Sequence, residues 1–167
     1  VILGTNKVPS IFGTTASALI YRRNIKTDPK LLIAMALPAL IGSMGGASLA
    51  SLIPTQILKP IVVALLIAVL IYTWKRPQLG LIESMRHDQG QRLRIAAVSA
   101  LVIGFYDGLI GPGTGSFLVL TLVAVFGFAF LSASAIAKVV NVATNFGAIL
   151  IFGLNGEILW KVGLTLA

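Results

Sequence analysis

Lys7 and Lys138 each sit inside a long apolar stretch and open matching runs 131 positions apart, Lys7-Val8-Pro9-Ser10 leading to Thr14 and Lys138-Val139-Val140-Asn141 leading to Asn145. A lysine at mid-depth in a bilayer costs roughly 2.5–3.5 kcal/mol on insertion scales, and such a residue marks a substrate or ion path by default. Lys138, Asn141 and Asn145 are spaced i, i+3, i+7, which sets them on one helical face with Thr144 beside them. Lys7, Ser10 and Thr14 repeat that spacing. A cation flanked by amide and hydroxyl donors suits an oxyanion such as a sulfonate, sulfite or carboxylate, which needs both charge and hydrogen bonds once it has shed water. The competing reading is structural: asparagine, serine and threonine also join helices to one another across a lipid-embedded bundle.

A second constellation runs from Gly104 to Phe117. Gly104, Gly108, Gly111, Gly113, Gly115 and Pro112 fall within it, too many helix breakers for a continuous helix. Irregular backbone at membrane depth survives where it lines a cavity or is buried in protein, and the N-terminus of a broken helix attracts anions. Gly113 to Ser116 is therefore a candidate anion contact. The stretch is no phosphate loop, since neither G-x-G-x-x-G nor a Gly-Lys-Ser/Thr sequence is present. Asp107 is the acid lying well inside the apolar part, and it has two readings: a proton or cation relay, or the fixed counter-ion of Lys7 or Lys138.

The elements that must position these residues are membrane helices. Of the 167 residues, 57% are hydrophobic and 11% charged, against about 25% charged in soluble domains, and the mean hydropathy is +0.97. Seven helical segments are expected: Leu3–Tyr21, Leu31–Leu52, Ile57–Trp74, Leu93–Ile110, Ser116–Phe130, Ser132–Phe152 and Ile158–Ala167. The last is too short to cross at about 1.5 Å per residue and the first residue is Val, so the chain is expected to be a fragment with helices missing at both ends. Gly42, Gly45 and Gly46 mark a close helix contact; Tyr72, Trp74 and Trp160 are interface anchors. With no cysteine and one histidine, His87, disulfides, thiolate metal sites and a paired-histidine haem are excluded, and no cofactor or metal is expected.

The net charge of +8 reflects orientation rather than nucleic acid. Arg22, Arg23, Lys26 and Lys30 crowd one loop, and Lys75, Arg76, Arg86, Arg92 and Arg94 another, two crossings away; both are read as cytoplasmic. The Asn155-Gly156-Glu157 loop carries no positive charge and falls outside. Its counterpart at offset 131 is the positive Arg22-Arg23 loop, so the two copies have opposite topologies, a recurring plan of secondary transporters. The expected organisation is 1–74 as part of a first inverted repeat, 75–94 as a basic cytoplasmic linker, and 95–167 as part of a truncated second repeat.

Gly4-Thr5-Asn6-Lys7, the Gly104-Phe105-Tyr106-Asp107-Gly108 stretch with Gly111-Pro112 and Gly115-Ser116-Phe117, and Ala133-Ser134-Ala135 with Lys138, Asn141, Thr144-Asn145, Gly156 and Trp160 together resemble the sulfite exporter TauE/SafE family of membrane permeases. The resemblance implies a multi-pass inner-membrane protein of two inverted repeats with broken or re-entrant helices. It also implies transport of sulfur oxyanions, organosulfonates or other small organic anions, coupled to protons or sodium. The family's first glycine-rich broken helix, expected upstream of Gly4, and its closing helices are absent from this sequence.

The resulting expectation is an all-helical anion permease fragment in a lipid bilayer, with no nucleic-acid partner. Lys7 and Lys138 supply charge. Asn6, Gly113, Ser116, Asn141, Thr144 and Asn145 supply contacts, and Asp107 couples or counterbalances. The alternative is a non-transporting membrane scaffold or assembly protein in which the same residues only pack helices. An enzyme is a distant third, for no paired carboxylates, histidine cluster or activated nucleophile stands at a spacing that would do chemistry.

Overall fold

The computed structural model describes residues 1–50, 52–53, 55–76, 78 and 80–167. It consists of helices α1 (Ile2–Asn24), α2 (Pro29–Ala50), α3 (Thr55–Trp74), α4 (Gln89–Leu109), α5 (Thr114–Thr121), which runs on into a π-helical turn at Leu122–Phe126, α6 (Phe130–Leu154) and α7 (Trp160–Thr165). No strand occurs among the described residues.

These helices are apolar on the outside as well as the inside. On α2, Leu31, Met35 and Ala39 are buried while Ile33, Leu37 and Ile41, offset by two positions, are exposed. A helix hydrophobic all round belongs in a lipid environment or a large core, and α4 continues the exposed belt with Val98, Leu101, Val102 and Phe105. Among the described residues two helices, α2 and α6, are long and apolar enough to cross a membrane. Prolines inside α1, α2 and α3 (Pro9, Pro38, Pro60) are of the kind that membrane helices tolerate.

At the centre α2 crosses α4 with backbone against backbone. A methyl group added at Gly42 or Gly46 would run into the carbonyls of Leu101 and Phe105, and one at Gly104 or Gly108 into those of Ala39 and Ser43. The expected contact at Gly42 and Gly46 is thus present, and α4 answers it with glycines of its own. Ser43, fully buried, donates to the Thr144 carbonyl at 2.6 Å and ties α2 to α6.

α1 and α6 run antiparallel. Gly4 abuts Phe152, Thr14 meets Asn145, and Tyr21 shares a cavity with Ser134 and Lys138. α4 and α5 form a tight hairpin, opened by Asp88, whose side chain caps the Gln91 N–H at 2.7 Å. The sequence reading carries the fifth segment to Phe130. The structure ends it at Phe126, because Gly127 turns left-handed at φ 80°, and Phe130 already belongs to α6. The second segment stops at Ala50 rather than Leu52, with Ser51 outside the described residues.

Candidate functional site

Between α1, the α4–α5 hairpin and α6 lie two cavities. The outer one, about 340 Å³, is lined by Asn6, Lys7, Ser10, Thr14, Asp107, Asn145 and the 110–115 turn. The inner one, about 500 Å³, is lined by Tyr21, Thr73, Arg76, Ser116, Ser134 and Lys138 together with apolar groups of α5. It lies toward the ends of α1 and α3 that lead into the basic loops.

The outer cavity is built around a buried ion pair. Lys7 Nζ lies 2.7 Å from Asp107 Oδ2 and 2.8 Å from the Asp107 carbonyl oxygen, with the side chains 8% and 5% exposed. Thr114 Oγ1, at 2.6 Å from Asp107 Oδ1 and 2.7 Å from the Gly111 carbonyl, shares its proton between them. Lys7 thus has its charge matched, and both carboxylate oxygens are engaged, which is the condition under which a buried pair is tolerated. The turn that permits this is made of glycine. Gly111 and Gly113 have φ of 93° and 88°, a region that costs other residues strain, and a Cβ at Gly111 would come within 3.1 Å of Lys7 Nζ. Tyr106 closes the turn by donating to the Pro112 carbonyl at 2.6 Å.

The α1 hydroxyls face inward differently from the expectation that they act as donors. Ser10 donates to Asn6 O at 2.8 Å and Thr14 to Ser10 O at 2.7 Å, so both protons are spent on their own helix. What they turn to the cavity is oxygen lone pairs, and Thr14 uses one to accept from Asn145 Nδ2 at 3.5 Å.

Lys138 contrasts with Lys7. Among the described residues it pairs with no carboxylate, and it shares its cavity with the guanidinium of Arg76, the hydroxyl of Ser116 and the amide of Asn141. The structure brings Asn6, Lys7, Gly113, Asn141 and Asn145 together in the outer cavity and Ser116, Lys138 and Asn141 in the inner one. Thr144 joins neither. It is fully buried, its hydroxyl donates to Asn141 O at 3.1 Å, and its carbonyl faces Ser43 on α2. In the sequence Arg76 reads as one more orientation charge, whereas the folded chain places it, with Tyr21, in the lining of the cavity that holds Lys138. The one signal that Tyr21 carries in the sequence is its alignment with another aromatic, Phe152, at offset 131. No group of three or more metal-ligating side chains occurs among the described residues.

A family model described as "Sulfite exporter TauE/SafE" matches residues 1–167. A probable membrane transporter protein, ORF9, of Sinorhizobium sp is 39% identical over 164 residues, covering 98% of this chain and 62% of the relative. The probable membrane transporter protein YfcA of Escherichia coli (strain K12) is 35% identical over 167 residues, covering 98% and 60%. A probable membrane transporter protein of Haemophilus influenzae is also 35% identical over 167 residues, covering 98% and 64%. The chain thus spans less than two thirds of the length of these relatives. No solved structure matches.

Proposed function

Because the chain belongs to the sulfite exporter TauE/SafE family, we propose that it is part of a multi-pass inner-membrane permease that moves small organic or sulfur-containing anions, and that the inner cavity at Lys138 holds the anion. The observation that carries this reading is the Lys138 ammonium, without a carboxylate partner among the described residues, in a cavity with Ser116, Asn141 and Arg76. A cation without a carboxylate partner in a low-dielectric setting gains most from an incoming anion. A sulfonate or sulfite offers oxygens for the Asn141 amide and the Ser116 hydroxyl as well. The relatives named as membrane transporters support the transport class, and the donor set supports an anionic cargo.

In this reading Lys7 and Asp107 act as a pair. Their charges cancel, so the outer cavity attracts an anion less than the inner one does, and Asn145 and Asn141 are the donors that offer it a route. Asp107 serves as the counter-ion of Lys7 and, when an anion draws Lys7 away, as the group free to take up a proton or sodium ion. Two inverted repeats meeting at α1 and α6 supply the opposed halves that such a mechanism rocks about; the antiparallel course of the two helices supports this. A non-transporting role is favoured by one observation only, the pairing of Lys7 with Asp107, and that concerns Lys7 rather than Lys138.

The test uses the full-length protein in proteoliposomes. Lys138→Met, which keeps the apolar stem and removes the ammonium, should lower ethanesulfonate uptake at least tenfold, while Lys138→Arg retains a substantial fraction. Uptake by Lys138→Met at the unmodified rate, with equal amounts of inserted protein, overturns the assignment.

A further inference from the structure

Gly115 and Asn141 are the two residues that line both cavities. Along α6, Asn145 faces the outer cavity only, Asn141 both, and Lys138 the inner only; along the α5 arm of the hairpin, Gly113 and Thr114 face the outer, Gly115 both, and Ser116 the inner. The two linings change over at the same level, so the cavities stand end to end, with Lys138 and Asn145 about 10 Å apart along the helix axis. At the changeover a Cβ on Gly115 would lie 3.2 Å from Asn141 Nδ2. A side chain at residue 115 would crowd the Asn141 amide and narrow the space between the two cavities. Gly115 is helical and carries no left-handed φ, so its backbone does not require glycine; the space does. Among the described residues the Asn141 amide makes no hydrogen bond, and it is free to swing toward either cavity.

On the basis of the permease reading above, we propose that Gly115 and Asn141 form the constriction of the permeation path, with an anion station on each side of it: the cationic inner cavity at Lys138 and the outer cavity at Asn145. An anion leaving Lys138 keeps one hydrogen bond throughout, from the Asn141 amide, while it passes the level at which a methyl group would narrow the path. The constriction then selects by cross-section and the cavities by charge.

The experiment takes the full-length protein with other cysteines removed and places one reporter in each cavity, Leu3→Cys in the outer and Val119→Cys in the inner, each in the lining of one cavity only. A membrane-impermeant maleimide should reach Val119→Cys from the basic-loop side and Leu3→Cys from the opposite side, and ethanesulfonate should slow both reactions. Adding Gly115→Ala should cut ethanesulfonate flux at least tenfold while the concentration that half-protects Val119→Cys changes by no more than about twofold, since no charge or donor is altered. Flux through Gly115→Ala at the unmodified rate overturns the constriction. Protection of Leu3→Cys without protection of Val119→Cys overturns the two-station path while leaving a transporter in place. Absence of both protection and flux removes the permease reading itself. The cysteine measurements do not depend on Gly115→Ala folding.

Discussion

Asn145 Nδ2 lies 3.5 Å from Thr14 Oγ1, and the two residues are 131 positions apart, the same offset that relates Lys138 to Lys7. When two helices are exchanged by a two-fold axis, a residue touches its own equivalent only where the axis passes. To one side Gly4 lies against Phe152, and to the other Tyr21, the equivalent of Phe152, lines a cavity with Ser134 and Lys138, which flank Ala135, the equivalent of Gly4. An axis through the Thr14–Asn145 contact is therefore the geometry an inverted repeat predicts. In full-length protein Thr14→Cys with Asn145→Cys should form a disulfide in most molecules on mild oxidation, whereas Thr14→Cys with Lys138→Cys, displaced by about 10 Å along α6, should not. Cross-linking of the second pair in preference to the first contradicts the proposed axis.

The Lys7–Asp107 pair predicts strong coupling between two substitutions. Lys7→Met strands a buried carboxylate and Asp107→Asn strands a buried ammonium, each destabilising by about 3–5 kcal/mol. The double variant has neither charge and should recover at least half of the summed loss, read as thermal stability of detergent-solubilised protein. Additive losses would show that the two groups do not depend on each other.

Glycines on this chain divide by what a methyl group would meet. Gly113→Ala forces a left-handed φ and brings the new carbon to 2.7 Å from Leu66 Cδ2, so it should destabilise by about 1–3 kcal/mol and impair transport. Gly13→Ala, in the interior of α1 with nothing within 4 Å, should be neutral or stabilising by up to about 1 kcal/mol. Equal effects of the two on melting temperature would contradict the turn geometry.

Much of this arrangement is legible in the sequence and some of it is not, for identifiable reasons. The helices, the break at Gly111–Gly113 and the close crossing at Gly42 and Gly46 follow from local composition, because apolar length, proline and glycine act where they stand. The partner of Asp107 is a different matter: Lys7 and Lys138 are equally plausible on paper, and the choice is made when α1 packs beside the α4–α5 hairpin, 100 positions from Asp107. Thr144 illustrates the limit of spacing arguments. At about 100° per residue it stands roughly 60° from Asn141 on the side away from Lys138 and Asn145, far enough to turn it toward α2. The donor role expected of Ser10 and Thr14 fails for a local reason, since a hydroxyl in a helix readily bonds its own i−4 carbonyl.

The α2–α4 crossing should be intolerant of volume. Gly46→Ala or Gly108→Ala places a carbon against a carbonyl of the facing helix, and neither backbone can move without opening the core packed around Met35, Ala39, Ala96 and Ala100. Each should reduce the amount of folded, inserted protein severalfold, whereas Gly45→Ala, whose nearest neighbour would be the Phe105 ring at 3.7 Å, should leave it near the unmodified level. Similar yields from all three would contradict the crossing.

Whether an anion is held at Lys138 is tested most directly by determining the structure of the full-length protein with and without ethanesulfonate. The expected result is a difference density in the inner cavity with its sulfonate oxygens within about 3.2 Å of Lys138 Nζ and Asn141 Nδ2, lost in Lys138→Met. Sulfonate density elsewhere in the protein, with the Lys138 cavity unchanged between the two structures, would contradict it.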